Sequence, residues 1–271
     1  MKDRQNMDIR SDFHTHTNIS SCGAPDNTLQ ALLDGLCAGP DGLRVLGVSN
    51  HLWDSDVPGA SDWYVPQNVP HVLAIREELE KADTHGARVL IGAEVEFSAD
   101  CRVAITEDHA KLFDYLLITA NHLHMKDFII PAAVKEPEEV RFILISRFKA
   151  AAATDLPVKC GICHPFFPIS FKDTENEILA GIKDEEYAEC FEIAKRHGKS
   201  IEIHSSALNP HLPLNEKGFC PEYVRMLGVA KEIGCTFHLG SDVHNPVPLP
   251  GIRLREFAGF LGIGEDRLTD F

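Results

Sequence analysis

Residues 11–23, "SDFHTHTNISSCG", decide how this chain is to be read. His14 and His16 follow a short apolar-flanked run with one residue between them, and Cys22 stands six residues beyond the second. Side chains at i and i+2 of a strand point to the same side. A strand that ends in His-Thr-His therefore offers two imidazoles to one point. Alone, the pair is explained as well by two hydrogen-bonded histidines as by a metal site, so the rest of the chain has to decide.

Outward from this stretch, short β-type runs alternate with helical patterns. Strands are predicted at 9–13, 45–49, 89–95, 115–120, 158–163, 200–203 and 236–240, and helices at 28–37, 69–84, 137–153, 184–197 and 221–233. Gly86, Gly198 and Gly234 stand where helices should stop. Strand–helix alternation implies parallel βα units. Seven such units without a break in composition predict an α/β fold, a distorted (β/α)7 TIM-like barrel, in a single domain over residues 1–271. The irregular segments 54–68 and 204–221 each follow a strand, which places them over the mouth.

Each predicted strand delivers a His, Asp or Glu at or near its C-terminal end. These are His14 and His16, His51, Glu94 and Glu96, His122 and His124, His164, Glu202 and His204, and Asp242 and His244. In a parallel barrel all those ends meet at one rim, where catalytic groups sit. Imidazoles with a few carboxylates suit Zn, Fe or Mn. The donors exceed what one tetrahedral ion uses, so two or three divalent ions are expected, bridged by Glu94 or Asp242. The remaining histidines fit a plainer reading. His71, His85, His109 and His197 lie on or beside helices, His211 lies in a loop, and His238 lies inside the last strand as packing.

Composition narrows the class of partner. Apolar residues make up 44% and charged residues 25%, as in ordinary globular chains. A formal charge of −15 argues against nucleic acid, which is bound through phosphate neutralisation. No apolar run reaches the roughly 18 residues of a membrane span. The opening "MKDRQNMDIR" lacks an apolar secretory core. The eight scattered cysteines then read as reduced thiols of a cytoplasmic protein. Cys160 and Cys163 form a CxxC that runs along a strand rather than into a helix N-terminus, which is not a redox arrangement.

The segments "DFHTHT", "GVSNH", "GAEVEF", "DYLLITANH", "GICHP", "IEIHSS" and "LGSDVH" follow one another over residues 12–244. In that order they resemble the motifs of the PHP (polymerase and histidinol phosphatase) family of metal-dependent phosphoesterases, which are distorted seven-stranded barrels that hold three metal ions. The resemblance implies that His14, His16, Glu94 and Asp242 hold a first ion. Glu94 would bridge to a second, completed by His122 and His164. His51, His244 and Cys22 would hold a third. Cys22 departs from the family, which has His or Asp there, and a softer thiolate changes metal preference. "SNH" replaces the family's "TDH", so Asn50 gives His51 no carboxylate partner.

The resemblance further implies hydrolysis of a phosphomonoester on a small metabolite, histidinol phosphate or nucleotide-like, by hydroxide held between the first two ions. Asp242 and His244 would belong to the catalytic group. His204 would protonate or hydrogen-bond the leaving oxygen, and Lys126 and Arg253 would clamp substrate charge. Two alternatives stay open. Metal-dependent amidohydrolases also open with HxH and place a lone Asp after a late strand, but they use a bridging lysine where this chain has "NHLHMK". The other is a catalytically reduced PHP regulatory domain.

Overall fold

The computed structural model describes residues 10–205, 220–245 and 251–271, the side chains of 251–253 excepted. Eight strands are β1 (Ser11–Asp12), β2 (Val45–Val48), β3 (His51–Leu52), β4 (Arg88–Glu96), β5 (Tyr115–Thr119), β6 (Cys160–Ile162), β7 (Ser200–His204) and β8 (Phe237–Gly240). The helices are α1 (Leu29–Leu36), α2 (Val69–Leu73), α3 (Ile75–Leu79), α4 (Glu107–Ala110), α5 (Pro137–Ala152), α6 (Glu175–Gly181), α7 (Asp184–Arg196), α8 (Pro221–Ile233) and α9 (Gly251–Phe260). All strand pairings are parallel, in the order β1-β2-β4-β5-β6-β7-β8. β3 also pairs with β4, so β2 and β3 form one stave broken at Ser49 and Asn50. The result is the expected seven-stave α/β barrel.

The barrel closes where its first and last staves meet. Phe13 N–H donates to Leu239 O at 2.9 Å, Asp242 N–H to His14 O at 2.7 Å and His16 N–H to Val243 O at 2.9 Å. β5 and β7 are buried along their whole length, as parallel strands covered on both faces must be. Outside, α1 turns Leu29, Leu32, Leu33 and Leu36 inward, and Thr28 caps it by accepting from Ala31 N–H. Gly198 and Gly234 have φ of 64° and 94°, the left-handed stop that the sequence predicts.

The barrel interior divides along its axis. Its lower part is filled by Phe13, Tyr115, Leu117, Cys163 and Phe271. Phe271 stacks on Tyr115 at 4.7 Å, and the Tyr115 hydroxyl donates to Phe13 O at 2.6 Å. Two glycines make room for that ring. A Cβ on Gly47 would lie 2.3 Å from the Tyr115 hydroxyl, and one on Gly92 2.4 Å from its ring. Above this plug lie the polar strand ends.

Some predicted boundaries differ. The helix expected over 69–84 is two short helices joined at Ala74, whose N–H reaches both His71 O and Val72 O, a local tightening of the turn. Beyond them Gln30 takes over the Asp83 peptide, accepting from its N–H at 2.9 Å and donating to its O at 3.2 Å. That pulls the chain out of helical register before Gly86. Asp242 and His244, expected as alternating strand residues, lie past β8, with Asp242 at φ 57°. The turn there serves barrel closure. α4, α6 and α9 are not among the helices predicted from the sequence; α4 and α6 are too short to show a helical period.

Candidate metal centre

The site is built around one carboxylate. Glu94 stands near the end of β4 and is 1% exposed. Its Oε1 lies 2.9 Å from His164 Nε2 and 3.3 Å from His122 Nε2. Its Oε2 lies 2.8 Å from His51 Nδ1, 3.4 Å from His16 Nε2 and 3.5 Å from His14 Nε2. Asp242 Oδ1 completes the second cluster, 3.1 Å from His16 Nε2 and 3.4 Å from His14 Nε2. Beside these, Cys22, His16, His51 and His244 bring donor atoms within 4.8 Å of one another. The His16 and His244 rings stack at 4.2 Å.

The donors fit metal ions better than they fit each other. His14 Nε2, His16 Nε2, His51 Nδ1 and Glu94 Oε2 are buried, yet none makes an aligned hydrogen bond. Buried polar atoms in folded proteins are nearly always satisfied, so a convergent set of unsatisfied ones marks a position for a cation. Within 4.8 Å groupings that could hold an ion fall His14/His16/Glu94, Glu94/His122/His164 and His16/Cys22/His51/His244.

Charge points the same way. Burial disfavours the Glu94 carboxylate, but His51, His122 and His14 hold it well below the usual carboxylate range. Asp242 and Glu202 are likewise held ionised, each against burial and chiefly by His14. The carboxylates in turn overcome burial to push His51 to about 10 and His122 to about 9. His16, buried and crowded by His51, drops to about 3. Burial raises the Cys22 thiol, but hydrogen bonds with His244 and His51 outweigh it and bring it down to about 7, near where a thiolate ligand forms.

Behind the donors lies a layer that fixes their tautomers. His14 Nδ1 meets Glu202 Oε1 at 2.8 Å, His122 Nδ1 meets Glu96 Oε2 at 2.8 Å, and His164 Nδ1 meets Asn121 Oδ1 at 2.7 Å. His16 Nδ1 faces Ser20 Oγ at 3.3 Å, and His244 Nδ1 faces Asp242 O at 2.8 Å. Ser20 gives its own proton to Asn50 Oδ1, so toward His16 it accepts. In the neutral state all five rings therefore carry hydrogen on Nδ1 and aim the Nε2 lone pair inward, as metal-ligating histidines do. Arg147 of α5 braces the rim from outside, donating to Ala120 O at 2.7 Å, Ser98 O at 2.9 Å and Phe97 O.

Two candidate positions sit in strained backbone. His164 has φ 30° and Asp242 φ 57°. Left-handed conformations at residues other than glycine cost about 1–3 kcal/mol each and gather at functional sites.

The rim thus collects His14, His16, Cys22, His51, Glu94, His122, His164, Asp242 and His244. His204 stands beside them, its Nε2 3.6 Å from Asp242 Oδ2. His124, the i+2 alternative to His122, turns outward and is exposed. Lys126 places its ammonium over the Phe171 ring, 4.1 Å from the centroid. The Arg253 side chain and His211 lie outside the described residues. Asn50 bonds Thr17 and Ser20 rather than His51. His238 is buried against Ser200 Oγ at 2.9 Å. All eight cysteines are free, and Cys163, pushed up by burial and by Glu94, is a thiol under the site. The sequence places Glu96 and Glu202 at the rim but in no ligand set, and it marks no role for Tyr64, Asn121, Ser20 or Arg147. For Glu96 a signal existed, since it stands at i+2 from Glu94 and shares its face.

Among the described residues the opening of the site is one-sided; most of the 204–221 segment expected over the mouth lies outside them. His14, His16, Glu94 and His164 form a buried floor, whereas the Asp242 side chain is 28% exposed and His244 is half-buried. Cys22 is exposed, and Trp63 of the 54–68 segment meets the His51 ring edge-on at 5.2 Å.

The architecture is shared with solved structures. One is histidinol phosphate phosphatase (HISK) from Lactococcus lactis subsp. lactis Il1403, complexed with zinc, L-histidinol and phosphate. It matches with a TM-score of 0.64 and 14% identity over 94% of this chain and 93% of that chain. Another, designated histidinol phosphatase hisK, is from Listeria monocytogenes, with a TM-score of 0.55 and 15% identity over 87% of this chain and 96% of that chain. At such identities the likeness establishes a common fold. No family model and no curated protein matches the chain.

Proposed function

We propose that this chain is a PHP-type, metal-dependent phosphoric ester hydrolase acting on a phosphomonoester of a small metabolite. The carrying observation is Glu94, whose two oxygens each face a separate set of histidines. A carboxylate so placed is suited to bridge two ions. The structural neighbour that binds zinc, L-histidinol and phosphate supports both the metal and a phosphorylated small molecule as substrate.

In this reading His14, His16, Glu94 and Asp242 hold one divalent ion, and Glu94, His122 and His164 hold another. Cys22, His51 and His244 hold a third. Zn, Fe and Mn suit the donors. Bound there, such ions supply Lewis acidity toward phosphate oxygens and bring the pKa of water toward 7. The chain's own residues do the rest. The buried floor excludes water from below, so substrate enters past Asp242, His244 and Cys22. Asp242 keeps its charge and holds His204 through Oδ2. In this reading His204, buried beside Asp242, hydrogen-bonds the leaving oxygen. The described residues contain no helix long and apolar enough to cross a membrane.

The test is phosphate release from histidinol phosphate, nucleoside monophosphates and p-nitrophenyl phosphate, after chelation and after return of Zn, Mn or Fe, with metal counted by mass spectrometry. Metal-dependent release from one of them is the expected result. Amide hydrolysis with no phosphate released from any of them would favour the amidohydrolase alternative. Lys126, which that alternative would need as its bridging lysine, holds its ammonium over the Phe171 ring.

A further inference from the structure

We infer that Glu202 is a positioning residue that locks two metal-holding histidines from different staves into one geometry, and that Gly240 exists to make room for it. The inference rests on the metal-centre reading above and extends it to a residue outside the ligand sets.

Both oxygens of Glu202 are committed. Oε1 accepts from His14 Nδ1–H at 2.8 Å. Oε2 accepts from the backbone N–H of His164, a residue held at φ 30°. One carboxylate thus joins the end of β1 to the end of β6. The first histidine belongs to one proposed ion, the second to the other. Behind Glu202 stands His238, its Nε2 3.6 Å from Oε1 and its Nδ1 2.9 Å from Ser200 Oγ. Glu202 and His238 are both buried, at 1% and 0% exposure.

The surrounding backbone is shaped to this group. A Cβ on Gly240 would lie 1.8 Å from Glu202 Oε1 and 2.8 Å from His14 Cβ. A Cβ on Gly161 would lie 2.5 Å from His238 Cε1. Neither glycine has a positive φ that would by itself require glycine. Their missing side chains are explained by the carboxylate and imidazole that fill the space.

Glu202 also falls within 4.8 Å of His14 and His204 as a possible ligand itself. Two opposed donors, His14 Nδ1–H and His164 N–H, already occupy its oxygens, which favours the positioning role. Glu202→Gln separates the two. An amide of the same shape has one acceptor oxygen for two donors. Turned one way, its NH2 faces His14 Nδ1, which must then become the acceptor and put hydrogen on Nε2, closing that ligand. Turned the other way, its NH2 opposes the His164 N–H and shifts β6's end.

The experiment measures zinc and manganese affinity and stoichiometry by competition with a chromophoric chelator. E202Q is expected to bind the parent's number of ions at saturation, with affinity about 10–100-fold weaker. Affinity within twofold of the parent would overturn the inference. So would loss of one equivalent with the others unchanged, since that marks a ligand. Gly240→Ala keeps the carboxylate but displaces it, and should weaken binding in the same direction; unchanged affinity in folded G240A counts against the proposal. If neither variant folds, histidine-15N NMR of the zinc-loaded parent still decides. His14 should carry its hydrogen on Nδ1, and hydrogen on Nε2 overturns the idea. A parent chain that binds no divalent metal defeats both readings, whereas one that binds metal without releasing phosphate defeats only the hydrolase reading.

Discussion

Glu96 holds His122 from behind, with Oε2 2.8 Å from His122 Nδ1, so that His122 Nε2 turns to Glu94. Tyr64 donates its hydroxyl to the same Glu96 oxygen at 2.7 Å. All three groups are buried. The 54–68 segment is thereby tied to the ligand layer. Tyr64→Phe removes one hydrogen bond to a buried charge, worth about 1.5–3 kcal/mol. Urea denaturation should show a loss of that size. Turnover should fall less than tenfold, because Glu96 still holds His122. A stability unchanged within error would show that the bond contributes nothing.

Glu94→Gln keeps volume and removes the charge that faces both histidine sets. Metal content should drop by at least one equivalent on mass spectrometry. Phosphate release should fall by more than the roughly 100-fold that loss of an outer partner costs. An E94Q protein with full metal content and near-parent turnover would remove Glu94 from the centre of the site.

The pH dependence of chelator-treated protein follows from the imidazoles. Burial opposes their charge, but the carboxylates raise His51 to about 10 and His122 to about 9, above an unfolded value of about 6.5. A raised folded pKa gives stability that is complete below the unfolded value and lost as pH rises through the folded one. Metal-free protein should therefore weaken between pH 7 and 10 in denaturant titrations. Metal-loaded protein should not, because its imidazoles are already neutral ligands. Parallel pH curves with and without metal would contradict the ligand assignments of His51 and His122.

The lower plug makes a prediction independent of metal. A Cβ on Gly92 meets the Tyr115 ring at 2.4–2.8 Å, and overpacking of this kind costs about 1–3 kcal/mol. Gly92→Ala should lower thermal stability by that amount, and Gly92→Ala with Tyr115→Leu should recover part of it. If the double variant is no more stable than G92A, the clash lies elsewhere.

Cys22 is exposed and its thiol lies at about 7. Iodoacetamide at pH 7.5 should modify Cys22 of chelator-treated protein faster than Cys101, the other exposed cysteine among the eight. Zinc should protect it. Peptide mapping reads both rates, and labelling of Cys22 that zinc does not slow would take it out of the third ligand set.

Much of the site was legible because each donor directly follows an apolar β-run. Parallel staves bring all such ends to one rim, so His14, His51, Glu94, His122, His164 and Asp242 could be gathered without coordinates. The motif matches His122 better and leaves His124 as the i+2 alternative; the structure buries His122 and exposes His124. Glu96 was within reach, since period-2 spacing puts it on Glu94's face. Glu202 is legible as a rim residue but its partner His14 is not, and Asn121 and Ser20 give no signal, because nothing in their local spacing says which imidazole each of them faces. Gly240 gave no signal, since its role is a space set by a side chain from β7.

The sequence alone determined the alternation of strand and helix, the seven staves and the residue types at their ends. These depend on local periodicity and on the rule that parallel strand ends share a rim. Only the tertiary structure decided which nitrogen meets which oxygen. His14 and Glu202 are 188 residues apart, and Glu94 and His164 are 70 apart. The first contact exists only once the first and last staves close on each other and the second only once β4, β5 and β6 lie side by side, and the burial that this assembly brings turns a set of ordinary histidines into oriented donors.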